Sequence, residues 1–283
     1  MSKVILITGT STGLGAFAAV KLAELGHTVI ATMRNLGKSS HIQTLASQHQ
    51  ASIELLELDV QSTQSVQNCV DQVIAKHGRI DVLINNAGAG FVRTTEQASE
   101  EDVAWVMDVN FHGVVRTTKA VLPHMRKARS GHVINISSVG GLVGQPFNEF
   151  YCAAKFALEG YVESVATYIT PNFNVHFTNV EPGGIQSEFA ANVLAQFEQG
   201  GGMVEDEYLP ILQKYLSGAG TRSEGVYQTV EQVTDVVVDV INSETPPLRT
   251  RTSQWSEAFT QLKTQSDPTG QKQVQAVYDA FLK

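Results

Sequence analysis

The sequence predicts an α/β fold: a doubly wound parallel sheet in a single domain, with an apolar flap and a helical C-terminal extension. Short apolar runs alternate with amphipathic helical stretches from the first residues onward. The runs are apolar throughout instead of alternating, as in strands covered on both faces. Glycines stand where the runs give way to helices.

Taken in order, Val4 to Thr8 is a strand and Leu14 to Leu25 a helix that Gly26 ends with a left-handed turn. Thr28 to Met33 is a strand, Ser39 to His49 a helix and Ile53 to Leu58 a strand. Thr63 to His77 is a helix stopped by Gly78, and Asp81 to Ile84 a short strand. One long helix covers about Glu100 to Arg126. His132 to Ser137 and Val175 to Val180 are strands, separated by a helix from about Asn148 to Ile169. Right-handed crossovers between such strands give a Rossmann-type sheet, whose ligands bind outside the carboxyl ends of the strands.

After Pro182-Gly183 the pattern changes. Residues 184–225 read as an irregular, flexible flap with an apolar inner face and three glycines, Gly200 to Gly202, in its middle. Val230 to Ile241 is helical, Pro246-Pro247 stops it, and Leu248 to Thr252 is a closing edge strand. Trp255 to Lys283 forms one or two surface helices. The chain thus divides into a binding and catalytic core (1–183), the flap (184–225) and a C-terminal extension (226–283).

The 283 residues, 42% hydrophobic and 17% charged, suit one soluble domain around one sizeable core. A formal net charge of -8 argues against a nucleic-acid surface or an anionic membrane as the main partner. The two cysteines, Cys69 and Cys152, have neither metal-ligand nor disulfide-framework spacing, and the reading is a reducing, cytoplasmic setting without a metal. No stretch approaches the ~20 apolar residues that span a bilayer.

The turn after the first strand reads Thr8-Gly9-Thr10-Ser11-Thr12-Gly13-Leu14-Gly15. Glycine belongs where backbone turns sharply, approaches pyrophosphate oxygens or lets helix and strand close up. The helix N-terminus then offers unpaired N–H groups and a positive dipole end to an anion. The plainer alternative is a tight turn with capping hydroxyls, and the position after the first strand favours the anion site. A dinucleotide with only a ribose hydroxyl there is usually met by an acid at the end of the second strand. Here Ala31-Thr32-Met33-Arg34-Asn35 offers no acid, and Arg34 is placed to meet a 2′-phosphate. NADP(H) is therefore the expected cofactor and NAD(H) the second choice.

Tyr151 and Lys155 are four apart in a predicted helix and share one face. A phenol of pKa near ~10 is a poor acid or base at neutral pH. An ammonium beside it, and a cationic nicotinamide, favour phenolate; a drop of about 2 to 3 units needs roughly 3 to 4 kcal/mol. Alone the pair is as consistent with a packed ring beside a snorkelling lysine. Ser138, 13 positions before Tyr151 and just past the fifth strand, adds a hydroxyl at the same sheet end. Asn85-Asn86-Ala87-Gly88 follows the fourth strand, small enough for an adenosine to cross the sheet. Asn110, a mediocre helix former inside the long helix, is either a kink with an i−4 backbone bond or a water-holding site behind the lysine.

In their order and spacing these motifs resemble the short-chain dehydrogenases/reductases over roughly residues 3 to 190: the glycine loop at 8–15, Asn-Asn-Ala-Gly at 85–88, Asn110, Ser138, Tyr151 with Lys155, and Pro182-Gly183. The resemblance implies a tetrad of Asn110, Ser138, Tyr151 and Lys155. Ser138 would polarise a carbonyl, Tyr151 give it a proton, Lys155 hold the ribose and tune Tyr151, and Asn110 anchor a water. It also implies cofactor contacts from Gly9, Thr10, Ser11, Thr12, Gly13, Leu14 and Gly15, and from Asp59 and Val60 at the adenine. Asn86, Ala87 and Gly88 would join them, with Pro182, Gly183, Ile185 and Ser187 at the carboxamide. Ser187 stands where threonine is more usual. The Ala-Thr-Met-Arg-Asn stretch and the long C-terminal region are similar to the hydroxysteroid and retinol dehydrogenase branch. The implied reaction interconverts a ketone or aldehyde and an alcohol on a small, hydrophobic substrate, in a homodimer or homotetramer paired through two long helices. No motif beyond residue 190 carries substrate identity. The alternatives are a non-catalytic NADP(H)-binding sensor, which tolerates loss of Tyr151, Lys155 or Ser138, and an NAD-preferring alcohol dehydrogenase. A sugar-nucleotide epimerase needs more than the roughly 100 residues after Gly183.

Overall fold

The computed structural model describes residues 2–221 and 226–282. Residues 222–225 at the end of the expected flap, Met1, and Lys283 at the end of the expected tail helices lie outside the described residues.

Seven parallel strands form the sheet: β1 (Val4–Ile7), β2 (Thr28–Met33), β3 (Glu54–Glu57), β4 (Val82–Asn85), β5 (Gly131–Ile136), β6 (Val175–Glu181) and β9 (Arg249–Arg251). Their order is β3-β2-β1-β4-β5-β6-β9, so the chain winds outward in both directions from β1 and β4. The doubly wound sheet expected from the sequence is the fold. β9 is the closing edge strand and pairs in parallel with β6. A two-stranded ribbon, β7 (Gly184–Ile185) with β8 (Tyr227–Gln228), stands apart.

Helices α1 (Gly13–Glu24), α2 (Ser40–Gln48) and α9 (Val230–Asn242) accompany one apolar cluster, which contains Ile5, Val20, Ile42 and Val237. Helices α3 (Thr63–His77), α5 (Gly113–Ala128) and α6 (Glu149–Phe173) accompany the other, with Leu6, Val70, Val121 and Leu158. Alternate residues of β1, Ile5 and Leu6, thus serve opposite layers, which is why its run is apolar without interruption. α3 ends at Gly78 in the left-handed conformation, φ +73°, as the sequence requires.

Three expectations change. The long helix is α4 (Glu100–Met107) and α5 joined by a π-helical turn, Asp108–His112. α6 runs on to Phe173, past the expected end at Ile169, with Pro171 in its last turn. The irregular flap instead contains two helices, α7 (Glu188–Gln199) and α8 (Leu209–Thr221). Phe189, Val193 and Phe197 recur at helical spacing there, and the glycine run that looked like flexibility is the break between helices, with Gly201 and Gly202 at φ +101° and +66°. The C-terminal stretch forms two helices, α10 (Gln254–Thr264) and α11 (Gln271–Phe281).

Candidate active site

The glycine loop lies at the carboxyl end of β1. Gly9 turns the chain at φ +70°, and a Cβ there would stand 2.7 Å from the Ala87 backbone. A Cβ on Gly15 would stand 2.3 Å from Asn86 Nδ2. That nitrogen donates to the carbonyls of Thr8 and Gly9 at 2.9 and 2.8 Å, while the Thr8 hydroxyl accepts from the Asn86 and Ala87 amides. Two loops on either side of the strand-order reversal are thus fastened together. Thr10 is buried and donates its hydroxyl to the Thr32 carbonyl, tying the loop to β2.

At the start of α1, Thr12 makes no side-chain cap bond and Gly13 takes φ +61°, leaving the first amides without a side-chain partner. A helix N-terminus in this condition attracts an anion. Leu14 is buried behind it and Ser11 lies beside it, half-buried. Arg34 is exposed immediately after β2. Asp59 and Val60 follow β3; the Asp59 carboxylate accepts from the Gln61 amide and the Val60 carbonyl from Arg116.

Across the sheet, Tyr151 and Lys155 lie on one face of α6 with the ammonium 5.7 Å from the ring centroid. Lys155 is only 4% exposed and donates to the Ile136 carbonyl at 2.9 Å. Ser138 follows the end of β5, is hydrogen-bonded to the Tyr151 phenol and accepts from the Gly140 amide at 2.9 Å. Asn110, fully buried at the centre of the π turn, donates to the Val106 and Ala89 carbonyls and accepts from the Ala89 amide. It makes the i−4 bond and also pins the loop carrying Gly88. A Cβ on Gly88 would stand 3.8 Å from Lys155 Nζ, so that backbone passes directly before the lysine. The Pro182 carbonyl accepts from the Val139 amide, joining the ends of β5 and β6. Gly183 leaves room for the Trp255 ring of α10.

For the chain alone, without the nicotinamide that the expectation included, burial governs both groups of the pair. Burial pushes the Tyr151 phenol up to about 12, with the Ser138 hydrogen bond opposing it. Burial draws Lys155 down to about 8, with the Glu159 carboxylate opposing it. The sequence led us to expect an ammonium that lowers its neighbour. Burial outweighs the Ser138 hydrogen bond at the phenol, while the Lys155 ammonium, 5.7 Å from the ring centroid, engages the Ile136 carbonyl. At neutral pH the phenol keeps its proton and the lysine is mostly charged.

Ile185 lies in β7, and Ser187 caps α7 through the Phe189 amide. Ser187 also approaches Gly13, its Cβ 3.5 Å from where a Cβ of that residue would be. α7 therefore begins over the glycine loop and crosses the tyrosine. Sequence reasoning missed three residues of this neighbourhood: Phe189, Glu159 and Arg93. Glu159 was readable, at four residues beyond Lys155 on the same helix face. For Arg93 the sequence offers no signal. A cleft of about 290 Å³ opens between the loop around Arg93 and α7, and its lining includes Phe91, Val193 and Phe197 but not Tyr151.

Residues 3–197 match the short chain dehydrogenase family. The chain is 39% identical to retinol dehydrogenase 8 of Bos taurus, over 95% of this chain and 86% of that protein. It is 36% identical to human 17-beta-hydroxysteroid dehydrogenase type 1, over 97% and 84% respectively. The crystal structure of a short-chain dehydrogenase from Streptomyces avermitilis superposes with a TM-score of 0.76 at 26% identity, covering 99% of this chain and 98% of that one.

Proposed function

Because this chain belongs to the short-chain dehydrogenase family of oxidoreductases, we propose that it interconverts a hydrophobic ketone or aldehyde and the corresponding alcohol with NADP(H). The observation that carries this reading is the convergence of a proton-bearing Tyr151, hydrogen-bonded Ser138 and charged Lys155 at the carboxyl ends of the central strands.

A dinucleotide fits the residues present. The uncapped start of α1 and the side-chain-free backbone of Gly9, Gly13 and Gly15 would hold the pyrophosphate. Exposed Arg34, with no acid at the end of β2, favours the 2′-phosphate of NADP(H). Asp59 and Val60 would border the adenine. Asn86, Ala87 and Gly88 would flank the ribose side, and Pro182, Gly183, Ile185 and Ser187 the carboxamide. When bound, the nicotinamide supplies or accepts the hydride.

The protein's own part is proton transfer and orientation. A carbonyl oxygen between Ser138 and Tyr151 receives a hydrogen bond from the serine and the proton of the phenol. The protonated phenol is the form that can donate to negative charge developing on the oxygen. Lys155 stabilises the phenolate left behind. Asn110, pinned to Ala89, would hold the water through which the proton is replaced. Phe189 excludes bulk water from the ring face. The apolar side chains of α7 and the names of the two animal relatives, a retinol and a hydroxysteroid dehydrogenase, support a hydrophobic substrate.

The test is a panel of apolar aldehydes and ketones with NADPH and with NADH, followed by nicotinamide absorbance. NADPH-dependent reduction of at least one ring-bearing substrate is expected. Tight NADPH binding without turnover across the panel would instead favour a cofactor-binding sensor.

A further inference from the structure

A polar chain runs through the sheet beneath the site. Asn85, Asn135 and Asn179 stand opposite one another on β4, β5 and β6. Asn85 Nδ2 donates to Asn135 Oδ1 at 2.9 Å, Asn135 Nδ2 to Asn179 Oδ1 at 3.0 Å, and Asn179 Nδ2 to Glu159 Oε2 at 2.7 Å. The Thr117 hydroxyl feeds the far end by donating to Asn85 Oδ1. Every amide in the row donates toward Glu159, and Ser137 donates its hydroxyl to the other oxygen, Oε1. Donors on both oxygens favour the carboxylate form of Glu159, against burial, which raises its pKa.

The neighbouring acid explains where the proton is. Glu181 of β6 is fully buried, and its Oε1 has no donor aimed at it, while its Oε2 lies 3.3 Å from Arg251. Glu181 is also hydrogen-bonded to Glu159, and two adjacent buried carboxyls share one proton, which the donors on both Glu159 oxygens leave to Glu181. Burial, with the charge of Glu159 adding to it, raises Glu181 well above the ordinary carboxylate range.

Glu159 also reaches the proton machinery. Ser137, which it holds, lies between Ile136, whose carbonyl receives Lys155 Nζ, and Ser138. Glu159 is one helical turn beyond Lys155 on the same face of α6, and a Cβ on Gly141 would touch Glu159 Cγ, the Lys155 carbonyl and Ser137 Oγ within 3.1 Å.

We propose that Glu159 is a positioning residue, an anion that fixes Lys155 through Ser137 and keeps it charged in a pocket too dry to do so alone. The proposal deepens the dehydrogenase reading and rests on it for the importance of Lys155. The charged or titratable groups facing the pair are Tyr151 and Glu163 on α6, Glu181 on β6, Arg249 and Arg251 on β9, and Glu257 on α10. Ser137, Ser138 and Asn110 face it as neutral groups.

The experiment is an NMR titration of the full chain labelled with ¹³Cε-lysine, without added cofactor, with Lys155 assigned from Lys155→Met. In Glu159→Gln the Lys155 midpoint is expected to fall by about one pH unit. In Glu181→Gln, which replaces a neutral group by a neutral group, it is expected to stay. An unchanged midpoint in Glu159→Gln overturns the proposal, and so does an equal fall in Glu181→Gln, which would put the charge on the wrong acid. Should Glu159→Gln not fold, a ¹³Cδ-glutamate titration of the unaltered protein decides: Glu159 anionic at pH 7 upholds the proposal, and Glu159 protonated there overturns it. None of these measurements uses turnover. Failure of the dehydrogenase reading would appear separately, as unimpaired catalysis in Tyr151→Phe, and would leave the midpoints where they are.

Discussion

Tyr151, Lys155 and Ser138 stand on elements whose side chains are locked from behind, by an amide row across three strands and by the Ile136 carbonyl. The segment that covers them, α7 with α8, is held far more lightly. Phe197 is the only side chain buried in α7, and Leu212 is its buried counterpart in α8, both packed on Phe147. Phe189, Leu194 and Ile211 are 42%, 53% and 57% exposed. Each fully buried side chain of that size contributes about 1.5 to 3 kcal/mol, so the cover has few anchors. Arg93 supplies another. Its guanidinium lies 4.5 Å over the Phe197 ring and donates to the carbonyls of Phe197, Gly200 and Gly202 at and just past the end of α7. The difference teaches a division of labour. On the proposed reading, the groups that move protons are over-determined by the sheet, and those that meet substrate sit on a cover held by few contacts, Arg93, Gln97 with Asp206 and Tyr208 with Glu96 among them.

Substitutions should therefore split cleanly between the two regions. The largest effect belongs to the floor. Tyr151→Phe is expected to lower kcat about 10³-fold with cofactor affinity nearly unchanged, measured by steady-state kinetics beside fluorescence titration of NADPH. Comparable losses of binding and turnover would blur the division.

Next comes a pH effect on folding from the floor. Lys155 titrates at about 8 in the folded chain against a reference of 10.5, so between those values the unfolded chain binds a proton that the folded one does not. The Lys155 contribution to stability then rises with pH across that window, by roughly 3 kcal/mol, opposed in its upper part by the raised thiol of Cys69. Lys155→Met should flatten this rise in urea denaturation from pH 7 to 10.

The cover should respond differently. Arg93→Ala is expected to raise KM for an apolar substrate about tenfold, roughly 1.4 kcal/mol, while the kcat of Tyr151 chemistry changes little. A loss confined to kcat would mean that Arg93 supports the floor instead. The smallest expected change lies at the rim: Arg34→Ala should weaken NADPH about tenfold, ~1.4 kcal/mol, and NADH hardly at all. Equal weakening of both would move the cofactor reading toward NAD(H).

Much of this was legible beforehand because it depends on local rules. The run Val4 to Ile7 followed by a glycine turn, the stop at Gly78 and the four-residue spacing of Tyr151 and Lys155 follow from backbone geometry and periodicity. The helices in 188–221 were obscured because three consecutive glycines read as flexibility, although they only separate two helices. The long helix hid a π turn, because only the pull of Ala89 on the Asn110 amide shows that the ladder is interrupted there.

By itself the amino-acid order determined the strands, the sheet's winding and the set of chemically able side chains, since each follows from neighbours within a few turns. Tertiary structure alone decided their ionisation and their confinement. A phenol raised by burial, a lysine lowered by it, and an arginine bound to carbonyls more than 100 positions away all depend on which distant groups replace water. Solvation is a property of the assembled interior, and no short stretch of chain encodes it.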